Sequence, residues 1–356
     1  MKKVIAIALS VLLIVSLLPM AAFASDKTDE VYAKMEAARD YLYGKKTEFT
    51  AADGYDFLLF LYADGDGAPF KDAYVQSVKD AFDAGTMNTV DRISIAGLCL
   101  QELDVDVNEF KLNDGTVIDL EQKAVEQGLA VDSPYNYLFV ISFVDDDAFI
   151  EQVQNELTAN YTKGSGYNYW GFSSDNSANF AVMTFDDELE TDAVSVVESA
   201  RTDKGYYYLA DYGTTANGNS TATALFMYAN LAGLNLDGEL DTTKADEVYQ
   251  LLVDNFTTAD GSYSYELGGE PNNYATRDAL KALIDYYALC SEADAREQES
   301  KSDTDKPAQQ TTEAKSTGAQ KQSTPATGDS LVACGIAAVA VIALGGALAL
   351  RKKEEK

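Results

Sequence analysis

The chain has 356 residues, 58 acidic against 27 basic side chains, a formal net charge of -31 and no histidine. That charge keeps an exposed protein soluble and disfavours nucleic acid or anionic lipid as partners. Without histidine the usual general base near neutral pH, the Ser-His and Cys-His nucleophile pairs and most zinc sites are excluded.

The first segment, "MKKVIAIALSVLLIVSLLPMAAFAS", places Lys2 and Lys3 before an apolar stretch that ends in Ala22-Phe23-Ala24. A basic start, an apolar middle and small residues at the cut describe a secretory signal peptide over 1–24. Cleavage is expected after Ala24, so Ser25 opens the mature chain.

From 26 to 295 the pattern is helical. Val31, Met35, Ala38 and Leu42 form one apolar stripe, and so do Phe149, Val153 and Leu157, and Val248, Leu252 and Phe256. Between these amphipathic segments lie others that are apolar nearly all round: "YDFLLFLY", "ISIAGLCL", "YNYLFVISF", "TATALFMYANLAGL" and "DALKALIDYYALC". A helix of that kind is buried on every side. The alternation predicts an all-α domain of about six helix pairs, buried helices inside and amphipathic helices outside. Cys99 and Cys290 sit in apolar runs; a disulfide is permitted outside the cell, and buried free thiols suit the surroundings better.

An internal repeat runs through this body. "GYYYLADYGTTANGNSTATALFMY" from Gly205 matches "GSYSYELGGEPNNYATRDALKALI" from Gly261, with Thr221 aligned to Thr276, and a looser copy, "GYNYWGFSSDNSANFAVMTF", starts at Gly166. Each copy has a Gly, aromatics, a polar loop and then a buried helix. These segments resemble the repeats of the terpenoid cyclase/protein prenyltransferase clan, and "DRISIAGLCLQELDVDVNEFKLNDG" with "DSPYNYLFVISF" resembles its bacterial surface members. The resemblance implies an (α/α)6-type toroid over most of 26–295.

It carries little chemistry across. The cyclases' D-x-D-D is not met by Val144-Asp145-Asp146-Asp147, the prenyltransferases' zinc set needs a histidine, and the thioester motif G-C-G-E-Q is absent. "DDELE" at 186–190 has no partner motif and reads as a solvated charge run. "DVDVNEFKLNDG" lacks the Gly and Glu spacing of a calcium loop, and "ADGDGAP" reads as a turn. No catalytic residue, cofactor or metal ligand is singled out. The aromatic loops supply the ligand-binding candidates: Tyr167, Tyr169, Trp170, Tyr206, Tyr207, Tyr208, Tyr263 and Tyr265. Tyr and Trp offer a flat apolar face and a polar tip, which suits a glycan or a peptide; packing between repeats is the competing role. Asn219, Ser220, Asn273 and Thr276 read as helix N-caps.

Residues 296–323 lack aromatic and large aliphatic side chains, which predicts a disordered linker. Its root-mean-square reach is about 28 Å. Thr324-Pro325-Ala326-Thr327-Gly328 follows, then the uncharged stretch 331–350, about 30 Å long as a helix, and the basic tail 351–356. Positive charge stays on the cytoplasmic side, so the transmembrane helix leaves the body outside. Tag, span and tail resemble the L-P-x-T-G sorting signal of Gram-positive surface proteins, with Thr324 in place of Leu. The resemblance implies a sortase that cuts after Thr327 and joins it to peptidoglycan; a retained membrane anchor is the alternative.

The expected role is therefore a non-catalytic surface protein that binds a glycan or peptide. Two readings stay open beside it: an extracellular polysaccharide hydrolase or lyase on an α/α barrel, and a structural wall protein without a soluble ligand. If Thr327 is the joined residue, the protein resists hot detergent and is released by wall-digesting enzymes, and Thr327→Ala makes it detergent-soluble. Complete extraction of the unaltered protein by detergent would argue for the retained anchor.

Overall fold

The computed structural model describes residues 25–209, 213–233 and 240–304. The signal segment 1–24 and the sorting tag, membrane stretch and tail lie outside the described residues. Among the described residues no helix is long and apolar enough to cross a membrane.

Twelve α-helices dominate: α1 Asp26–Tyr43, α2 Gly54–Tyr62, α3 Lys71–Asp83, α4 Val90–Glu102, α5 Leu120–Glu126, α6 Tyr137–Phe143, α7 Asp147–Ala159, α8 Ser174–Met183, α9 Asp187–Ser199, α10 Gly218–Gly233, α11 Thr243–Phe256 and α12 Asn273–Thr304. Strand is confined to two small antiparallel ribbons, Phe110–Lys111 with Val117–Ile118 and Tyr161–Thr162 with Gly166–Tyr167. The protein is all-α.

The odd-numbered helices bury one stripe each. Val31, Met35 and Ala38 are the covered face of α1, Tyr74 and Val78 of α3, Val153 and Leu157 of α7, and Val248, Leu252 and Phe256 of α11. The even-numbered helices are covered on most sides. In α4 every residue from Ile93 to Leu100 is buried, and in α8 every residue from Asn176 to Met183. These helices touch in chain order: α2 with α4, α4 with α6, α6 with α8, α8 with α10, α10 with α12, and α12 again with α2.

The ends of the body meet in the same place. Ser25 caps α1 by accepting from the Thr28 amide, and its own backbone N–H donates to Asp294 Oδ2 at 2.8 Å. The Thr28 hydroxyl donates to that oxygen at 2.7 Å. The last helix runs on to Thr304, beyond 295, where the folded body was expected to stop. Glu292 and Arg296 are paired at 2.7 Å, i to i+4 on its surface, and good helix formers follow them, so the start of the expected linker is helical. Cys99 and Cys290 are free, buried thiols.

The repeat has a structural cause. Ser173, Asn217 and Asn272 cap α8, α10 and α12, accepting from the amides of Asn176, Ser220 and Ala275 at 3.1, 2.8 and 3.0 Å. Four residues after each cap stands a hydroxyl, Ser177, Thr221 or Thr276, which donates to the cap residue's carbonyl at 2.8, 2.9 and 2.8 Å. The same hydroxyl accepts from the backbone N–H of the loop tyrosine, Tyr167, Tyr207 or Tyr263. The capping residues are thus Asn217 and Asn272, not Asn219, Ser220, Asn273 or Thr276 as expected. A cap needs extended backbone just before the first turn, and Asn219 and Ser220 are already inside it.

The closest approach of two buried helices is at Gly97 of α4. A methyl group added there would lie 2.3 Å from the ring of Phe143 in α6, itself buried. Alanine gains about 1 kcal/mol of helix propensity over glycine. Overpacking a closed core costs about 1–3 kcal/mol or more, and the clash should win. Gly97→Ala is expected to lower the thermal midpoint and Gly97→Ala/Phe143→Leu to recover part of the loss. An unchanged midpoint in the single variant would show that α4 and α6 are not so closely packed.

Candidate functional site

The first turns of α8, α10 and α12 bring together charged and polar side chains that an apolar helix has no packing use for. Asp175 opens α8, Asn219 and Ser220 open α10, and Arg277 and Asp278 lie early in α12. Ser220 Oγ donates to Asp175 Oδ2 at 3.1 Å, and Asn219 Nδ2 donates to Asp278 Oδ2 at 2.6 Å. Two neighbouring residues of α10 therefore hold one carboxylate each. Ser174 Oγ lies 3.2 Å from Asp175 Oδ1 but donates its hydrogen to the Tyr208 carbonyl at 2.8 Å. Asn219 Oδ1 is buried and has no hydrogen-bond partner.

One turn deeper, Lys281 Nζ donates to Asn179 Oδ1 at 2.9 Å and sits 3.6 Å from the centre of the Phe226 ring. Asp285 follows on the same face of α12. Asp175, Asp278, Lys281 and Asp285 all keep partial contact with solvent. On the α2 side, Arg277 Nε lies 3.7 Å from Asp56 Oδ1, which also accepts from the Tyr43 hydroxyl at 3.2 Å.

The electrostatics follow from this setting. Burial raises Asp175 to about 6; the Ser220 hydrogen bond opposes the shift and the nearby charge of Asp278 adds to it. Burial also raises Asp278, against the pull of Asn219, Lys281 and Arg277 toward the charged form. Asp285 is raised to about 7 by burial, tempered by Lys281. Burial lowers Lys281 to about 8, although Asp285 and Asp278 favour its charge. Desolvation always disfavours the charged form, and in this group it outweighs the partners present.

An aromatic line leads outward from the carboxylates. Tyr135, in the turn before α6, feels the charges of Asp175 and Asp278, and its hydroxyl donates to Asn176 Oδ1. Its ring meets that of Tyr169 edge-on at 5.6 Å, and Tyr169 lies 5.6 Å from Trp170. Asn176 Nδ2 donates to the carbonyls of Tyr169 and Gly171 at 3.1 and 2.9 Å, which pins the loop on both sides of the indole. Trp170 is 95% exposed and has φ 55°, a backbone region costly for a bulky side chain. Tyr274, 70% exposed, lies under Arg277 with the guanidinium 5.5 Å from its ring centre.

The eight aromatic candidates divide. Tyr167, Tyr207 and Tyr263 are buried. They are the residues held by the repeated hydroxyls, and they leave no face for a ligand. Tyr206 packs edge-on against Phe256 at 5.9 Å, and the Tyr208 hydroxyl donates to the Ser199 carbonyl at 3.3 Å; both are half-buried. Trp170 and Tyr265 are exposed and Tyr169 half-buried. Only Tyr169 and Trp170 join the carboxylate group through ring contacts. Tyr135, Asp175, Asn219, Tyr274, Asp278, Lys281 and Asp285 were not anticipated. Their signal was a charged i, i+3, i+7 stripe in "DALKALIDYY", a segment otherwise apolar all round.

The acidic motifs are accounted for locally. Asp186 caps α9, accepting from Glu188 and Leu189, and Asp146 caps α7. Asp106 and Asp114 accept from backbone amides of their own turns. Among the described residues no group of three or more Cys, Asp or Glu side chains is placed to hold a metal. Comparison with protein-family models, with curated proteins and with solved structures finds no match to this chain.

The raised carboxyls make stability depend on pH. In the folded chain they keep a proton that the unfolded chain releases near pH 4. Their contribution is whole below that value and is lost as pH rises through about 6 for Asp175 and about 7 for Asp285. The thermal midpoint should fall across this window, and Asp285→Asn should make the fall shallower. A slope identical in the variant would place Asp285 in free contact with water.

Proposed function

We propose that this chain is a glycan-binding protein displayed outside a Gram-positive cell, its helix pairs arranged as an (α/α)6 toroid. The order of helix contacts, with α12 returning to α2, is what supports the toroid. In that arrangement the starts of the even-numbered helices share one rim, where the aromatic line and the carboxylates meet. The display reading rests on the sequence at the two ends. Processing after Ala24 would make the group 2.8 Å from Asp294 a charged amine, a stronger partner for that carboxylate than an amide.

The observation that carries the binding reading is the line Trp170, Tyr169, Tyr135 leading to Asp175 and Asp278. A sugar has an apolar C–H face and a rim of hydroxyls. An exposed indole beside a tyrosine suits the first, and a group rich in acceptors, with Asn219 Oδ1 unpartnered, suits the second. Pockets for small ligands combine these features. The chain carries -31 and the rim several carboxylates, so polyanionic glycans are repelled and neutral or amino-sugar polymers are favoured.

Trp170 is the single tryptophan, so the intrinsic indole signal reports on this site alone. Titrating the full-length protein with xylan, mannan, glucan and chitin oligosaccharides should shift or quench it in a saturable way for one of them. Trp170→Ala, followed by calorimetry, should weaken binding about tenfold or more, equivalent to about 1.4 kcal/mol. Saturable response to peptides with none to any glycan would replace the glycan reading with a peptide one.

A further inference from the structure

We propose that Asp175 and Asp278 are a catalytic pair that hydrolyses a glycosidic bond of the glycan bound at this rim, an inference that rests on the binding reading above. Glycoside hydrolysis asks for two carboxyl groups, one holding a proton for the leaving oxygen and one charged. The two groups here are unlike in their surroundings, which is what separates such roles. Asp278 accepts from Asn219 and lies near Lys281 and Arg277, all of which favour its carboxylate. Asp175 faces hydroxyls and the negative charge of Asp278. Ser174 has committed its hydrogen to the Tyr208 carbonyl, so its oxygen, 3.2 Å from Asp175 Oδ1, is free to accept a proton held there.

The two carboxylates are held apart by adjacent residues of α10, with Ser220 on Asp175 and Asn219 on Asp278, so both are fixed by one rigid element. Tyr135, in contact with Tyr169, lies within reach of both charges and links the pair to the stacking surface. No cation bridges the two carboxylates among the described salt bridges, so the opening between them is not taken up by a structural ion pair. A pair buried only for stability is more commonly neutralised by a direct cationic partner.

The step balances without another reactant. Water attacks the anomeric carbon while the bond from that carbon to the bridging oxygen breaks. Asp175 gives its proton to the departing oxygen, and Asp278 takes one from the water. The products are a shorter glycan with a new reducing end and a glycan with a new hydroxyl, and proton exchange with solvent restores the pair. A lyase would instead need a substrate with a carboxylate beside the cleaved bond, which the charge of the rim repels.

The test uses the full-length protein and the oligosaccharides that shift Trp170 fluorescence. The unaltered protein should release new reducing ends from the oligosaccharide it binds. Asp175→Asn and Asp278→Asn should each lower turnover about 10²–10⁴-fold, the usual contribution of general acid–base catalysis, while the fluorescence titration shows binding retained. In Asp278→Ala, added azide or formate should restore part of the activity by replacing the lost carboxylate, an effect that a merely structural role would not produce. The rate of the unaltered protein should fall as pH rises past about 6, where Asp175 loses its proton. Saturable binding by the unaltered protein without any new reducing ends overturns the catalytic pair and leaves the binding reading standing. Absence of binding to every glycan overturns the binding reading itself. Should either Asn variant fail to fold, the azide rescue and the pH profile of the unaltered protein decide the matter.

Discussion

A helix that is apolar on every face has to be covered on every face. That single demand organises this protein. The residues of α4 from Ile93 to Leu100 and of α8 from Asn176 to Met183 would each expose a large apolar surface if left alone. At about 25 cal/mol per Å² of apolar area, leaving any one uncovered would outweigh the net stability of an ordinary domain. Each is covered by the buried helices before and after it and by amphipathic partners, whose stripes end in solvated acidic faces. The strong negative charge is the outer side of that arrangement.

The loops between pairs obey a second, more local constraint. A helix that starts inside a packed body must satisfy its first amides, and the chain must turn tightly to reach that point. One hydroxyl at the fourth position past the cap does two tasks. It returns a hydrogen bond to the cap carbonyl and accepts from the tyrosine that closes the loop. The tyrosine ring is then driven into the core. This is why Tyr167, Tyr207 and Tyr263 recur: they are structural parts of the turn, and the neighbouring residues Tyr169 and Trp170 are left to face outward.

Charged groups placed among such helices are costly, which makes Asp175, Asp278, Lys281 and Asp285 informative. Their protonation is shifted toward the neutral forms by burial. None contributes to the apolar packing. Their hydrogen bonds run to Ser220, Asn219 and Asn179, residues of the same helices, so the group is a preorganised polar surface within an apolar frame. The strained backbone at Trp170, held by Asn176 from both sides, belongs to the same group, since Asn176 follows Asp175 in the first turn of α8.

The sequence by itself determined the helical class, the alternation of buried and amphipathic segments and the repeat, because a 3.6-residue period and an all-round apolar run are properties of consecutive residues. It also contained the expected address signals at both ends, which lie outside the described residues. Only the tertiary structure decided which aromatics are available and which carboxylates matter. Tyr206 and Tyr207 are adjacent and chemically identical, yet one is half-buried and the other has no exposure; the difference arises from the Thr221 hydroxyl of the following helix. Asp175 and Asp278 are two among many acidic residues, separated by a hundred positions in the chain. Their pairing exists because α8 and α12 both pack on α10, whose adjacent Asn219 and Ser220 reach one carboxylate each, and a contact of that range has no signature in local pattern.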